Sequence, residues 1–479
     1  MAEKQLKVLV ASSEVAPLAK TGGLADVSGT LPKALVHQGV DARIIMPRYK
    51  NIGKWESTLM DFPIGVEEYP DTAIIRETEI WGCVKVYLVD CYRYFYRNSL
   101  YGEPDDARRF AFFGRAVVEF IKRYEWKPDI IHCNDWQTGI IPPYIRVVEK
   151  ENEALSNIKI LFTIHNLQYQ GNFPQDAIKY TGLPRSVFRM EEMEFYGQFS
   201  FMKGGIVYSD AVTTVSPNYS KEIQTPEYGY GMEGLLRYVS PKLSGILNGI
   251  DTEFFNPETD KYLYHNYGID NAIEGKQKNK LELQRELRLK QDPEVPLLTY
   301  IGRLSEQKGI DLIADVLPKL LDLDVQIVIL GTGDRYYEEL VSTFGEVSDK
   351  IVCVLRFDEE LAHKLYAGAD LILIPSKFEP CGLIQMIAMR YGTVPVARQT
   401  GGLADTVFDL DADKELGNGF LFKNYLGDEF MKAILRALEK FNRKELWHSI
   451  VKKNMGLDFS WNRAANEYKR LYASLLSRP

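Results

Sequence analysis

The stretch Leu297–Leu321 reads LLTYIGRLSEQKGIDLIADVLPKLL. Leu297–Ile301 is a short run without polar alternation, the pattern of a strand buried on both faces. Gly302–Gly309 follows as a polar loop bounded by glycines. From Ile310 onward the apolar positions Ile313, Val316, Leu317 and Leu320 fall at i, i+3, i+4 and i+7, one stripe of a helix. Strand, loop and helix in that order make the repeating element of a parallel sheet covered by helices.

Working outward, the same order recurs. Strand-like runs stand at Leu6–Ala11, Asp129–His132, Lys159–Ile164, Ala211–Val215, Val325–Leu330, Asp370–Ile374 and Thr393–Ala397, with helical patterns between them. The alternation predicts an α/β protein of doubly wound parallel sheets. The chain has 479 residues. A single core rarely grows past roughly 250–300, so two such domains are expected. An Asn-Gly turn signal lies in Leu247–Asp251. Asn256–Pro296 then lacks strand-like runs and carries the charged segment Lys276–Arg288. The expected divisions are residues 1–245, 246–457 and 458–479. In the last, Trp461, Ala465, Tyr468, Tyr472 and Leu475 recur at helical spacing, an amphipathic helix packed on something already folded.

Lys and Arg number 58 against 66 Asp and Glu, a net charge of −8, which argues against a dedicated nucleic-acid binder. No apolar run approaches the ~18 residues that span a membrane. The polar start Met1–Gln5 and the short apolar run Val8–Ala11 do not make a signal peptide. Five cysteines at irregular spacing suit a reducing cytosol and form neither a disulfide framework nor a zinc site. A cytoplasmic protein without a membrane or nucleic-acid partner is the expectation.

Thr21–Asp26 (TGGLAD) recurs letter for letter at Thr400–Asp405. In each copy two glycines precede a helix start. Glycine pairs let backbone N–H groups approach a ligand, and a helix N-terminus favours an anion. Two plain strand–helix turns are the alternative. One such turn per domain would suit a ligand held in a cleft between domains. Arg303 and Lys308 stand on the loop after Leu297–Ile301, at the strand end where open α/β sheets bind ligands. Two cations five apart there suit a diphosphate, Arg as a fork and Lys as a point charge. Glu379-Pro380-Cys381-Gly382-Leu383 follows the run Asp370–Ile374 and precedes the helical run Ile384–Tyr391. Amides near Gly382 and Leu383 would face an anion, and Glu379 a sugar rather than a phosphate; capping of the helix is the plainer role for Glu379. His132–Trp136 and His165-Asn166 end two further strand-like runs, and Lys20 precedes the first glycine pair. Tyr92, Tyr94, Phe95, Tyr96 and Tyr101 cluster near Arg93, Arg97, Arg108 and Arg109, either to stack sugar rings or to pack in the core.

Other chemistries fail on their spacing. After Gly331-Thr332-Gly333 the third glycine of a dinucleotide fingerprint would fall at Tyr336. There is no G-x-x-x-x-G-K-[ST], H-E-x-x-H or G-x-S-x-G, and no sequence cluster with metal-ligand spacing. Unaided, the residues point to a two-domain α/β enzyme that binds a phosphorylated, nucleotide-linked ligand.

Lys20–Val27 (KTGGLADV), His132–Trp136, His165-Asn166, Asn248–Asp251, Gly302–Gly309, Glu379–Leu383 and Thr400–Thr406, in this order over nearly the whole chain, closely resemble the bacterial glycogen synthase and plant starch synthase family. The resemblance implies the GT-B fold, two Rossmann-like domains facing each other across a cleft, with the C-terminal helix crossing back to the first domain. It implies glucose transfer from ADP-glucose to the non-reducing end of an α-1,4-glucan such as glycogen, with retention of configuration and no required metal or other cofactor. It also implies roles. Arg303 and Lys308 resemble the diphosphate clamp. Lys20 resembles the lysine reaching the diphosphate or the transferred glucose, and Glu379 the carboxylate that orients that glucose. Asp135, His165 and Asn248 resemble sugar-contacting positions, His165 near the anomeric carbon. Gly23, Leu383, Thr400 and Gly402 resemble backbone donors, and Gly22, Asp26, Cys381, Gly382 and Gly401 share their motifs as substrate-binding positions. Phe357 falls where a ring would stack on adenine. Some related transferases carry a second glutamate eight positions after the first; here Ile387 stands there. No carboxylate pair suits a double-displacement mechanism, so front-face attack assisted by the departing phosphate oxygen is expected, with a hinge near Asn248-Gly249. Transfer from UDP-glucose, or glucan binding without catalysis, are the readings that stand beside this one.

Overall fold

Which strands lie side by side decides which loops can meet. The computed structural model describes residues 5–53, 55, 57–65 and 70–477. The chain forms two units, one of residues 1–215, 220–249 and 461–479, the other of residues 216–219 and 250–460. The division falls at Gly249 rather than 245, and the final segment starts at Trp461 rather than 458.

The first unit holds β1 (Lys7–Ala11), β2 (Asp41–Pro47), β3 (Ser57–Ile64), β4 (Asp71–Ile80), β5 (Val84–Asp90), β6 (Ile130–Asn134), β7 (Lys159–Ile164), the short β8 (Asn172–Pro174), β9 (Glu194–Phe195) and β10 (Gln198–Ser200), then β11 (Ala211–Thr214) and β12 (Leu243–Gly245). Nine of them form one sheet in the order β12-β11-β7-β6-β1-β2-β5-β4-β3. The chain winds outward from β1 to β2 and β5, then returns to β6 and winds the other way. The loops after β1 and β6 therefore part at a topological switch point, where doubly wound sheets bind ligands. Val8, Leu9, Ile44, Ile131, Ile160 and Phe162 are fully buried along these strands. Each such side chain contributes about 1.5–3 kcal/mol.

Strand–helix alternation does not run the whole length. β3, β4 and β5 form an antiparallel meander, with the β4–β5 turn made by Trp81 and Gly82 at φ 58° and 65°. On β3 and β4 buried and exposed positions interleave, the mark of a half-solvated sheet. β8, β10 and β9 form a separate small antiparallel sheet.

In the second unit β13 (Leu297–Ile301), β14 (Gln326–Leu330), β15 (Ile351–Val354), β16 (Leu371–Ile374), β17 (Val394–Arg398) and β18 (Phe420–Phe422) are all parallel, in the order β15-β14-β13-β16-β17-β18. Renumbered from β13 this is 3-2-1-4-5-6, the Rossmann order, with its switch point between β13 and β16. Leu297–Leu321 supplies its central strand and the helix Ile310–Leu321, whose Ile313, Val316, Leu317 and Leu320 are fully buried.

The charged segment 276–288 is not a solvated linker. Residues 276–286 of it lie in the helix Ala272–Glu286, with Lys276 and Lys280 buried. Lys276 Nζ donates to the Ala367 carbonyl and Thr393 Oγ1, both at 2.9 Å, and burial lowers its pKa to about 7. Lys280 pairs with Asp370 at 2.7 Å. Breaking a buried pair of this kind costs about 3–5 kcal/mol.

The helix Trp461–Ser477 completes the first unit, not the second. Tyr468, Tyr472 and Leu475 are buried, and the Tyr472 hydroxyl meets His132 Nδ1 at 2.8 Å. Lys469 Nζ donates to the Gln38 carbonyl at 2.8 Å.

Candidate active site

In the first unit the expected residues occupy carboxyl ends of parallel strands. Lys20, Gly22, Gly23 and Asp26 follow β1, Asp135 follows β6, His165 follows β7, and Asn248 follows β12. The loop after β1 is organised by Glu14, buried to 1% exposure. Its carboxylate accepts from the Thr21 amide at 2.5 Å, Thr21 Oγ1 at 2.7 Å, the Gly22 amide at 3.2 Å and the Tyr101 hydroxyl at 2.6 Å. The protein's own carboxylate thus holds two amides beside the first glycine pair. Lys20 pairs with Asp26 at 2.7 Å while both stay partly exposed.

Asp135 has φ 56° and ψ 178°, a conformation almost confined to glycine. Its Oδ1 accepts from the His165 amide at 2.7 Å, which joins the ends of β6 and β7. Burial raises the Asp135 pKa to about 7, with the Glu14 charge adding to the rise, against backbone donors from His165 and Asn166. Asn134 fixes the tautomer of His165. Its Nδ2 donates to the carbonyls of Ala11 and His132, so its Oδ1, 2.8 Å from His165 Nε2, must accept. Nε2 therefore carries the proton and Nδ1 the lone pair. Burial lowers the His165 pKa to about 3, so the ring is neutral at physiological pH. Asn248 is 5% exposed and its Oδ1 has no hydrogen-bond partner among the described residues, an acceptor suited to a ligand hydroxyl. His132 is structural, held by Tyr472 and by Thr163 Oγ1 at 2.6 Å.

In the second unit Arg303 and Lys308 follow β13, Phe357 follows β15, Glu379 to Leu383 follow β16, and Thr400 to Gly402 follow β17. Across the switch point Lys308 Nζ bonds both oxygens of Glu379, at 2.9 and 2.7 Å, and Ser376 Oγ donates to the same carboxylate at 3.0 Å. Lys377 N–H donates to the Gln307 carbonyl at 2.9 Å, tying the two loops. Arg303 is exposed, and Phe357 is 80% exposed. Cys381 is buried, and Leu383 caps the helix Ile384–Arg390. The Gly402 amide already donates to the carbonyls of Glu379 and Pro380, at 3.1 and 3.2 Å, and that of Thr400 to Arg398. In this state those two amides hold the loop.

The aromatic cluster divides. Tyr94 and Phe95 are core, while Tyr92 and Tyr96 are exposed and stacked on each other. Glu14 and Ser376 were not foreseen; Asn134 and Tyr101 lay in segments the sequence singled out, but their bonds to His165 and Glu14 were not. The signal for Glu14 was a single charge within the otherwise uncharged Val8–Ala19. Among the described residues no group of three or more His, Cys, Asp or Glu is placed to hold a metal, and no helix is long and apolar enough to cross a membrane.

Residues 7–238 match the starch synthase catalytic domain family, and residues 281–453 match glycosyl transferases group 1. Two Rossmann-like units with cations at a strand switch point thus define a glycosyltransferase of the GT-B class. The chain is 47% identical to the glycogen synthase of Desulforudis audaxviator, covering 100% of this chain and 98% of that one. It is 47% identical to the glycogen synthase of Moorella thermoacetica, covering 99% and 98%. The catalytic domain of starch synthase IV from Arabidopsis thaliana, solved with ADP and acarbose, superposes with a TM-score of 0.91 at 37% identity, covering 99% of this chain and 100% of that one. The chain belongs to the glycogen synthase and starch synthase family.

Proposed function

We propose that this protein is a retaining glucosyltransferase that moves glucose from ADP-glucose to the non-reducing end of an α-1,4-glucan such as glycogen, in the cytoplasm and without a metal cofactor. The observation that carries the reading is the Lys308–Glu379 pair at the switch point of the second sheet. An incoming diphosphate competes for Lys308, joins Arg303, and frees Glu379 to accept a glucose hydroxyl. Stabilising the leaving ADP in this way lowers the barrier where charge develops. Phe357 is exposed on the same sheet end to meet the base. On the acceptor side Asp135, neutral His165 and the orphaned Asn248 Oδ1 contact sugar, with Lys20 and the Gly23 turn on the loop after the adjoining strand β1. A His165 that stays neutral does not repel a developing oxocarbenium. Its backbone amide, not its ring, is what Asp135 holds. The first test is transfer of labelled glucose to glycogen from ADP-glucose, with UDP-glucose in parallel. Incorporation dependent on ADP-glucose is expected. Transfer from UDP-glucose alone would overturn the donor, and none from either would overturn the reaction.

A further inference from the structure

Three tyrosines beside the acceptor-side residues take no part in the site described above. Tyr169 lies four residues past His165, and its N–H donates to the Asn166 carbonyl at 3.2 Å. Gln170 Nε2 donates to the Tyr230 carbonyl at 3.1 Å, which joins that loop to a second one. Tyr196 occupies the turn between β9 and β10 and reaches the same place. A methyl group on Gly231 would stand 3.2 Å from both Phe195 Cζ and Tyr196 Cε2. Burial raises the Tyr230 pKa to about 12, with the neighbouring hydroxyls of Tyr169 and Tyr228 adding to the rise. Despite this crowding the rings stay in solvent, Tyr169 at 47% exposure, Tyr196 at 80% and Tyr230 at 38%.

Tyr196 and Tyr230 share a second property. Both have φ +49°, a region that bulky side chains rarely adopt, and each is followed by a glycine with positive φ. Such a residue costs about 1–3 kcal/mol and persists where the surroundings enforce it, often at a ligand site. Two adjoining loops meet that cost, and both present a tyrosine to water. Exposed rings add little to folding. Their use lies in what they bind.

We infer that Tyr169, Tyr196 and Tyr230 form a subsite for the acceptor glucan, beyond the sugar that receives the transfer. The C–H face of a pyranose ring lies flat on an aromatic face, and the phenol hydroxyls bond the sugar's rim. The patch starts at the loop that carries His165 and Asn166, where the end of an acceptor chain has to lie. The inference rests on the glucan-transfer reading above.

The test uses the full chain and the variants Tyr196→Ala, Tyr230→Ala and Tyr196→Trp. The KM for glycogen, the KM for ADP-glucose, rates with maltotriose, and retardation in a native gel containing glycogen are measured. Each alanine variant is expected to raise the glycogen KM about fivefold to tenfold, while the ADP-glucose KM moves less than about twofold. Gel retardation should weaken in step, and Tyr196→Trp should restore it. Because the Tyr196 ring is mostly in solvent, its removal tests binding rather than folding. An unchanged glycogen KM with unchanged retardation would overturn the proposal, as would an equal loss with glycogen and maltotriose. Variants that only shift the protein's oligomeric state, with glycogen KM intact, would give the patch to a second copy of the chain and overturn it too. If the parent binds glycogen through these residues but transfers nothing from ADP-glucose, the transfer reading fails and the subsite stands.

Discussion

Thr21–Asp26 and Thr400–Asp405 carry the same six letters, and each opens a helix, Gly23–His37 in the first unit and Gly401–Thr406 in the second. Around the second copy there is no room. A methyl on Gly401 would run into the Glu379 carbonyl, and one on Gly402 into the Cys381 carbonyl. Gly402 N–H bonds the same loop, and Asp405 accepts from the Asn218 amide at 2.8 Å. Around the first copy, a methyl on Gly22 or Gly23 would meet nothing within 4 Å. There Asp26 pairs with Lys20, and Glu14 holds the turn. In the second copy glycine is needed so that backbone can pack on backbone beneath Glu379. In the first, glycine keeps space open, and space the protein leaves unfilled is space a ligand can use.

Five substitutions sharpen or break that contrast. The largest effect is expected for Lys308→Ala, which takes the cation from Glu379 on the loop packed against the second copy and leaves that carboxylate, among the described side chains, with Ser376. Turnover should fall about 10²–10³-fold, the size of a lost transition-state donor, with Arg303→Ala close behind. Unchanged turnover in both would remove the clamp. Next, Gly402→Ala should cost about 1–3 kcal/mol in a denaturant melt and lower activity by displacing Glu379. A variant as stable as the parent would show that the packing is not required. Third, Gly23→Ala should leave the melt within about 0.5 kcal/mol, yet lower kcat/KM by about tenfold if ligand approaches that turn. Wild-type kinetics would mean the open space is idle.

The smallest effect is a pH dependence. An unfolded Asp titrates near 4 and the folded Asp135 near 7, so the folded protein holds the extra proton between these values. Its contribution to stability therefore falls as pH rises from about 4 to about 7. His165 acts oppositely, since its folded pKa of about 3 makes stability rise with pH up to the unfolded value. The charged and titratable neighbours of Asp135 are Glu14, Tyr101 and His165. Glu14→Gln removes the nearest negative charge, so the Asp135 decline should end at a lower pH than in the parent. Difference curves of denaturant midpoint from pH 4 to 8 isolate it, and superimposable curves would show that Glu14 does not act on Asp135.

The parallel strands were legible because buried on both faces they must be continuously apolar; Leu297–Ile301 and Lys159–Ile164 have the ends the sequence suggests. The meander β3–β5 was not, since its half-exposed strands mix polar and apolar residues without clean alternation. The helix Ala272–Glu286 hid behind Lys276 and Lys280, whose burial depends on carbonyls and Asp370 far along the chain. Motif residues of the site fall at strand ends because that is where a doubly wound sheet releases its loops. Their partners were out of reach. The Lys308–Glu379 bond joins residues 71 apart, and Glu14 meets Tyr101 across 87. Spacing in sequence carries no trace of such pairs.

The helix Trp461–Ser477 has a consequence for biosynthesis. Its tyrosines close the core around His132, in a unit most of which has left the ribosome before the other is begun. At ordinary translation speeds the segment after Gly249 takes on the order of ten to forty seconds to emerge. Throughout that interval the nascent first unit shows an apolar furrow where Tyr468, Tyr472 and Leu475 will sit. A stop codon or frameshift near residue 460 would therefore spare the unit it follows and cripple the one made first.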